Sequence, residues 1–241
     1  MSNVLADVAF GDNPQCWPLP QAATPSELWL RAVAAGGQGR YASAVADLDG
    51  VCRLQRGGPL VSLAHSTRAS FLRQLGWHDR ARRWDGRAMA LAGADPEASA
   101  DALIGLAADA LGVGRFAASD AALRRAGEQF TGSGRQPVRL AWVSAELAMA
   151  RGDGAAAVAH AERGVELAAA LCSAGDVDGS RRVADVALRD TGRLGTIPLR
   201  WALACLLADI GTSAHTAAEV LTIRNECAAT VRRWGGDLAD H

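Results

Sequence analysis

Apolar residues along this chain recur three or four positions apart, in stretches separated by short links rich in glycine and proline. Such spacing places the apolar side chains of each stretch on one face of an α-helix. In the last stretch, Val220, Ile223, Cys227 and Val231 form a single stripe. The pattern predicts helices over residues 25–36, 42–54, 60–75, 79–92, 96–112, 117–130, 137–151, 154–172, 176–189, 198–210 and 213–234.

Local signals mark several helix ends. The segment Thr24–Glu27 combines a capping residue with a proline and an acidic residue, which is typical of a helix start. Ser213 is predicted to cap the last helix, and Gly235–Gly236 to end it. Because the links between helices are short, we expect neighbouring helices to be antiparallel.

Glycines punctuate the helices at a nearly constant interval. Gly39, Gly76, Gly114 and Gly152 are 37, 38 and 38 residues apart, and each separates two predicted helices. A fixed period of this size indicates an array of helical repeats, and such arrays usually bind other molecules. The period ends near residue 173. The predicted organisation is a leader at 1–24, four helix pairs over 25–172 and C-terminal capping helices over 173–241.

The leader differs from the rest of the chain. Pro14, Pro18 and Pro20 surround Cys16 and Trp17, and proline at this density disfavours helix and favours extended backbone. Two interpretations follow. The leader is either a loosely packed or disordered segment, or a tail that lies across a groove and regulates access to it.

Composition supports an all-α protein. Hydrophobic residues make up 49% of the chain and aromatic residues only 5%, and the apolar residues are dominated by the strong helix formers alanine and leucine. The chain has no lysine, so arginine supplies all 25 basic residues, which is typical of a GC-rich genome and suggests a high-GC bacterium. The formal net charge of −1 argues against a nucleic-acid-binding protein.

One segment departs from this charge balance. Six arginines between residues 68 and 87 accompany only two acidic residues, Asp79 and Asp85, which leaves a local charge of +4 (6 − 2). This segment is either a solvated, salt-bridged face or a docking site for an acidic partner. The arginines are Arg68, Arg73, Arg80, Arg82, Arg83 and Arg87.

The sequence offers little support for chemistry. The five cysteines are dispersed without a C-x-x-C motif, and the histidines lack partners at metal-ligand spacing. No nucleophile elbow or phosphate-binding loop is present. Neither a secretory signal nor an apolar run of membrane-spanning length is found. We therefore expect a cytoplasmic, non-enzymatic protein without a metal or cofactor.

Small residues recur at matching places around the glycines, and this arrangement resembles the tetratricopeptide repeat. The second unit carries Ala69, Gly76, Ala81 and Ala88 at the small and turn positions of that family. The resemblance covers about residues 25–170, although the period exceeds the family's 34 residues. The other units place Ala32, Gly39, Tyr41, Ala44 and Val51, then Ala107, Gly114, Phe116, Ser119 and Ala126, then Ala145, Gly152, Ala157 and Gly164 at these positions.

The resemblance implies a right-handed α-solenoid of antiparallel helix pairs, in which the first helices line a concave groove for a partner. An alanine-rich helical bundle is the alternative fold. Two tryptophans in the predicted groove would anchor a peptide, unless they simply pack against neighbouring helices. Carried over to this chain, the groove residues are Trp29, Ser66, Ser70, Arg73, Asp101, Ile104, Arg139, Trp142 and Glu146.

The resulting functional prediction is a scaffold or adaptor that binds a protein or peptide segment, with no nucleic-acid or membrane partner. Self-association into a homo-oligomer is left open. The alternative is a regulatory sensor domain, which would bind a small ligand or peptide in the groove. Its patch between Arg68 and Arg87 would then dock a transcription or sigma factor.

Overall fold

The structure is a computed structural model. Every regular element in the described part of the chain is an α-helix, which confirms the predicted all-α class. The described residues are 4–10, 13–129, 135–153, 156, 159–160, 181, 184–185, 187–189, 191–192 and 197–236. The helices are α1 (Val4–Phe10), α2 (Pro25–Gly37), α3 (Tyr41–Leu54), α4 (Pro59–Gln74), α5 (His78–Leu91), α6 (Pro96–Gly112), α7 (Phe116–Gly127), α8 (Arg135–Ala150), α9 (Ile197–Ile210) and α10 (Ala217–Arg233).

Helices α2 to α9 begin and end within a few residues of the predicted bounds. At Thr24 the predicted start signal is a complete capping box: the Thr24 hydroxyl accepts from the Glu27 backbone N–H, and the Glu27 carboxylate accepts from the Thr24 backbone N–H. The helices predicted over 154–172 and 176–189 lie largely outside the described residues. None of the described helices has the length and apolar content needed to cross a bilayer.

The predicted cap at Ser213 is wrong. The last helix starts at Ala217 with Thr216 as its cap, and Thr216 and Glu219 form a capping box. Ser213 is engaged elsewhere, because its hydroxyl and backbone N–H both donate to Asp185, at 2.7 and 2.8 Å. The end of the helix agrees with the prediction, since Gly235 adopts a positive φ of 88° directly after it.

The expectation of an irregular leader is wrong for residues 4–10, which form α1 and pack against α2 through Leu5 and Val8. The prolines that resist helix formation all come after α1. The segment that contains them is held by side-chain contacts: Gln38 donates to two of its backbone carbonyls, at 2.8 and 2.9 Å, and Arg40 lies 3.7 Å from the centre of the Trp17 ring.

Four turns of the same construction join the two helices of each predicted pair. Gly39, Gly76, Gly114 and Gly152 have φ values of 80°, 86°, 73° and 76°. Each glycine N–H donates to the carbonyl three residues back, and the next N–H donates to the carbonyl five residues before it, all at 2.8–2.9 Å. This pair of bonds defines the Schellman motif, which needs a left-handed residue and therefore favours glycine. The glycine period is thus a period of identical turns.

Wherever the structure describes them, the small residues at matching repeat positions are completely buried; Ala157 and Gly164 lie outside the described residues. Such residues let helix axes approach to about 8–10 Å, where larger side chains would separate them. The positions with 0% exposure are Ala32, Ala44, Val51, Ala69, Ala81, Ala88, Ala107, Ser119, Ala126 and Ala145.

Packing divides the chain into two compact units. One unit combines residues 1–56 with 184–241, and the other comprises residues 57–183. In the first, the Ala42 backbone N–H donates to the Trp234 carbonyl, so the end of α10 contacts the start of α3. In the second, Leu103 and Ile104 of α6 form a core with apolar residues of α7 and α8. The predicted division at 24 and 172 stays a prediction.

Candidate binding cleft

The first helices of three consecutive pairs lie beside one another in the unit formed by residues 57–183. Helix α6 is central and contacts both α4 and α8. A cleft with a volume of about 570 Å³ opens between these three helices and the start of α5. It is lined by Ser70, Arg73, Gln74, His78, Ala108, Leu111, Gly112, Arg139, Trp142, Val143, Glu146 and Ala150.

A buried ionic cluster forms the floor of the cleft. The Arg73 Nη1 atom of α4 donates to Asp85 of α5 and, at 3.0 Å, to Asp109 of α6. The two carboxyl side chains have no exposed surface, and the Arg73 side chain is 10% exposed. One cation therefore joins three helices, and its charge is already balanced within the protein.

One arginine cannot neutralise two buried carboxylates. Burial raises the pKa of Asp85 to about 7, and the nearby Asp109 charge acts in the same direction while Arg73 opposes it. Burial also raises the pKa of Asp109, again against the attraction of Arg73. Burial disfavours the charge on Arg73, but the two aspartates outweigh it and raise its pKa, so Arg73 is a permanent cation. The pair of carboxyls consequently retains a proton near neutral pH.

Glycines within α6 make this arrangement possible. A Cβ atom added at Gly105 would overlap the carboxylate of Asp85, and one added at Gly112 would overlap the ring of His78. Gly105 lies inside an alanine-rich helix, where glycine is otherwise unfavourable, and Gly112 is the last residue of that helix. They let groups from α5 reach the backbone of α6 next to the cleft.

The opposite wall belongs to α8. Arg139 forms an ion pair with Asp101 of α6, whose side chain is 4% exposed, so this arginine is also charge-balanced. The Trp142 indole lines the cleft, and its Nε1 atom is buried without a hydrogen-bond partner among the described residues. Trp142 therefore supplies an aromatic side chain to this wall of the cleft.

Five predicted groove residues line this one cleft: Ser70, Arg73, Arg139, Trp142 and Glu146. The other four lie elsewhere. Ser66 is buried beside Asp85, Asp101 holds Arg139, and Ile104 is fully buried in the core, so burial favours structural roles for these three. Trp29 belongs to the other unit, where its ring lies 5.8 Å from that of Phe10.

Sequence reasoning missed several residues of the cleft and its floor. Asp85 was predicted to lie in the charged surface segment, and Asp109, Gln74 and His78 were not predicted as groove residues. The available signal was Gly105 inside a predicted helix, because a glycine there is unfavourable unless close packing requires it.

Comparison with known proteins gives no match to any family model, curated sequence or solved structure. Within the described ranges, no three histidine, cysteine or acidic side chains are placed to hold a metal ion. The cleft itself combines the aromatic side chain of Trp142, polar groups such as Ser70 and Glu146, and the apolar side chains of Leu111 and Val143. This mixture suits the reversible binding of a ligand that has both polar and apolar groups.

Proposed function

We propose that the chain is a tetratricopeptide-like, right-handed α-solenoid that ends in C-terminal capping helices and acts as a non-enzymatic scaffold in the bacterial cytoplasm. Three observations support this architecture: the constant glycine period, the identical Schellman turns and the burial of small residues at matching positions. Cys16, Cys205 and Cys227 are free thiols, as a reducing compartment would require.

The proposed activity is the capture of a peptide segment of a partner protein in the cleft between α4, α6 and α8. The observation that carries this proposal is the position of Trp142. Its side chain lines a cleft built from three successive first helices. An aromatic side chain in such a cleft is a typical anchor for an apolar group of a peptide.

The charge of the cleft determines which peptides it would bind. Two arginines, Arg73 and Arg139, lie at the cleft together with Glu146 and the ion-pair partners Asp85, Asp101 and Asp109. The formal charge of this group is −2 (2 − 4). A proton retained by the Asp85–Asp109 pair leaves −1. The cleft therefore favours neutral or basic segments with an apolar side chain and disfavours acidic chain ends.

Selection from a random peptide library displayed on phage would test this proposal. Isothermal titration calorimetry of the selected peptides should show about tenfold weaker binding to Trp142→Phe, because phenylalanine replaces the indole with a smaller ring and reduces its contact with the bound peptide. Trp29→Phe in the other unit is the matched control and should bind like the wild type. Equal affinities for all three proteins would exclude the cleft as the peptide site.

A small-ligand sensor is the second candidate, because about 570 Å³ lies within the usual range of small-molecule sites. Thermal-shift screening of a metabolite library distinguishes the two proposals. A compound that stabilises the wild type but not Trp142→Phe, together with a peptide selection that yields no binders, would favour the sensor.

A further inference from the structure

A second surface of the same unit carries a row of stacked arginines and tryptophans. Arg80, Arg83, Trp84 and Arg87 occur at i, i+3, i+4 and i+7 of α5, so they share one helix face. The Arg80 guanidinium lies 3.9 Å from the centre of the Trp77 ring. Arg68 of α4 and Arg87 lie 4.3 and 5.1 Å from the centre of the Trp84 ring. We call these six residues the arginine–tryptophan ladder.

The ladder has little internal counter-charge. Asp85, which is adjacent in sequence, has no exposed side-chain surface and is paired with Arg73 at the cleft. Without these two residues the segment keeps a formal charge of +4, from Arg68, Arg80, Arg82, Arg83 and Arg87 against Asp79 (5 − 1). Within the described ranges, the four arginines of α5 form no ion pair.

Like charges spaced three or four residues apart destabilise a helix, and Arg80, Arg83 and Arg87 have this spacing. A partner that supplies negative charge would relieve this repulsion. Stacking on an indole also restricts a guanidinium while leaving its N–H edges available for bidentate contacts to carboxylates. The ladder is thus organised before binding, which lowers the entropic cost of recognition.

The aromatic rings distinguish between acidic partners. Proteins that bind single-stranded nucleic acid offer free aromatic faces on which bases stack. Here Arg68 and Arg87 lie over Trp84, and Arg80 lies over Trp77, so arginines of the protein itself occupy the rings. This leaves a row of guanidinium edges about 10 Å long between positions 80 and 87, which suits a few carboxylates on a peptide.

We propose that the arginine–tryptophan ladder is a docking surface for an acidic segment of a protein partner, separate from the cleft described above. Two carboxylates about two helical turns apart, or about three residues apart in an extended strand, would span Arg80 to Arg87. The surface is independent of the cleft proposal, since it shares no residue with the cleft lining.

Fluorescence anisotropy with a fluorescein-labelled dodecapeptide of alternating glutamate and serine tests this proposal on the full chain. The peptide should bind with an affinity that falls as salt increases. The Arg80→Glu/Arg83→Glu variant should bind about tenfold more weakly, because two attractive contacts become repulsive. Arg232→Glu/Arg233→Glu reverses another exposed arginine pair, on α10, and should remain within about twofold of the wild type.

Neighbouring residues provide a second, geometric control. Arg82 and Arg83 are both exposed, but only Arg83 lies on the ladder face, so Arg83→Glu should weaken binding more than Arg82→Glu. Equal losses in these two variants, or in the two double variants, would overturn the proposal. So would equal binding of a glutamine–serine peptide. An oligouridylate that binds more tightly than the acidic peptide, and loses binding in the same ladder variant, would reassign the surface to nucleic acid.

Discussion

Arg139 and Asp101 occupy the same position in two successive repeats, 13 residues before Gly152 and Gly114, and they form an ion pair across the period. Equivalent positions of adjacent first helices thus meet side by side, as stacked helix pairs require. A mutation at either position should therefore act on the contact between repeats as well as on the cleft.

Asp101→Asn should lower the free energy of unfolding by about 1–3 kcal/mol, because Arg139 would lose its carboxylate in a partly buried site. Urea denaturation followed by circular dichroism measures the loss. Asp120→Asn is the matched control, since its pair with Arg124 is exposed at the surface and should contribute less than about 1 kcal/mol. Equal effects of the two variants would contradict a special role for the Asp101–Arg139 contact.

The contribution of Asp85 to the free energy of unfolding should fall as the pH rises from about 4 to 8. In the folded protein the pKa of Asp85 is raised to about 7, above its value of about 3.9 in the unfolded chain. Stabilisation from such a group is complete below the unfolded pKa and is lost as the pH passes the folded pKa. Asp85→Asn keeps a neutral side chain at all pH values, so its unfolding free energy should decline less over this range.

Urea titrations at pH 5, 7 and 8.5 would measure this dependence. Asp120→Asn again serves as the control, because it removes a surface carboxylate and leaves the buried pair intact. A slope in Asp85→Asn equal to that of the wild type would show that the buried pair does not take up the proton.

Glycine-to-alanine substitutions should have opposite effects at two helical sites. Gly105→Ala should destabilise the protein by about 1–3 kcal/mol, because its methyl group would overlap the buried, ion-paired carboxylate of Asp85. Gly86→Ala should stabilise it by up to about 1 kcal/mol, because the site is exposed, helical and has open space around the new atom. Thermal denaturation of both variants would check the difference, and stabilisation by Gly105→Ala would refute the close approach.

Removing a ladder charge should raise the pKa of His65, whose ring lies 5.3 Å from that of Trp84. Burial is the main cause that lowers this pKa. The positive charges of Arg87 and Arg68 lower it further because they disfavour the imidazolium ion. NMR titration of His65 in Arg87→Gln should therefore give a higher pKa than in the wild type. Arg82→Gln, on the other flank of α5, should leave it nearly unchanged, whereas an equal rise would indicate a general effect of net charge.

Much of the helical framework could be predicted because its signals are local. Apolar periodicity placed α2 to α9, and Gly39 and Gly114 marked turns that need a positive φ. The cap of α10 was missed because Ser213 binds Asp185, a residue distant in sequence. Ser213 and Thr216 are both suitable capping residues, and the contact of Ser213 with Asp185 leaves Thr216 to cap the helix.

The cleft was predictable only in part. Facing positions on α4 and α8 identified Ser70 and Trp142, but the sequence does not show which side of α6 faces the core, and Ile104 is buried there. The association of Arg73 with Asp109 joins residues one repeat apart, so no local pattern could reveal it.

The four Schellman turns close through backbone hydrogen bonds around one glycine each. The point at which the chain reverses is therefore set by main-chain groups rather than by the side chains that line the cleft. This separation suits the protein to directed evolution: a library could vary cleft positions such as Ser70, Gln74 and Glu146 while the four glycines and the ion-paired Arg73 and Arg139 stay fixed. New specificities could then be selected without redesigning the framework.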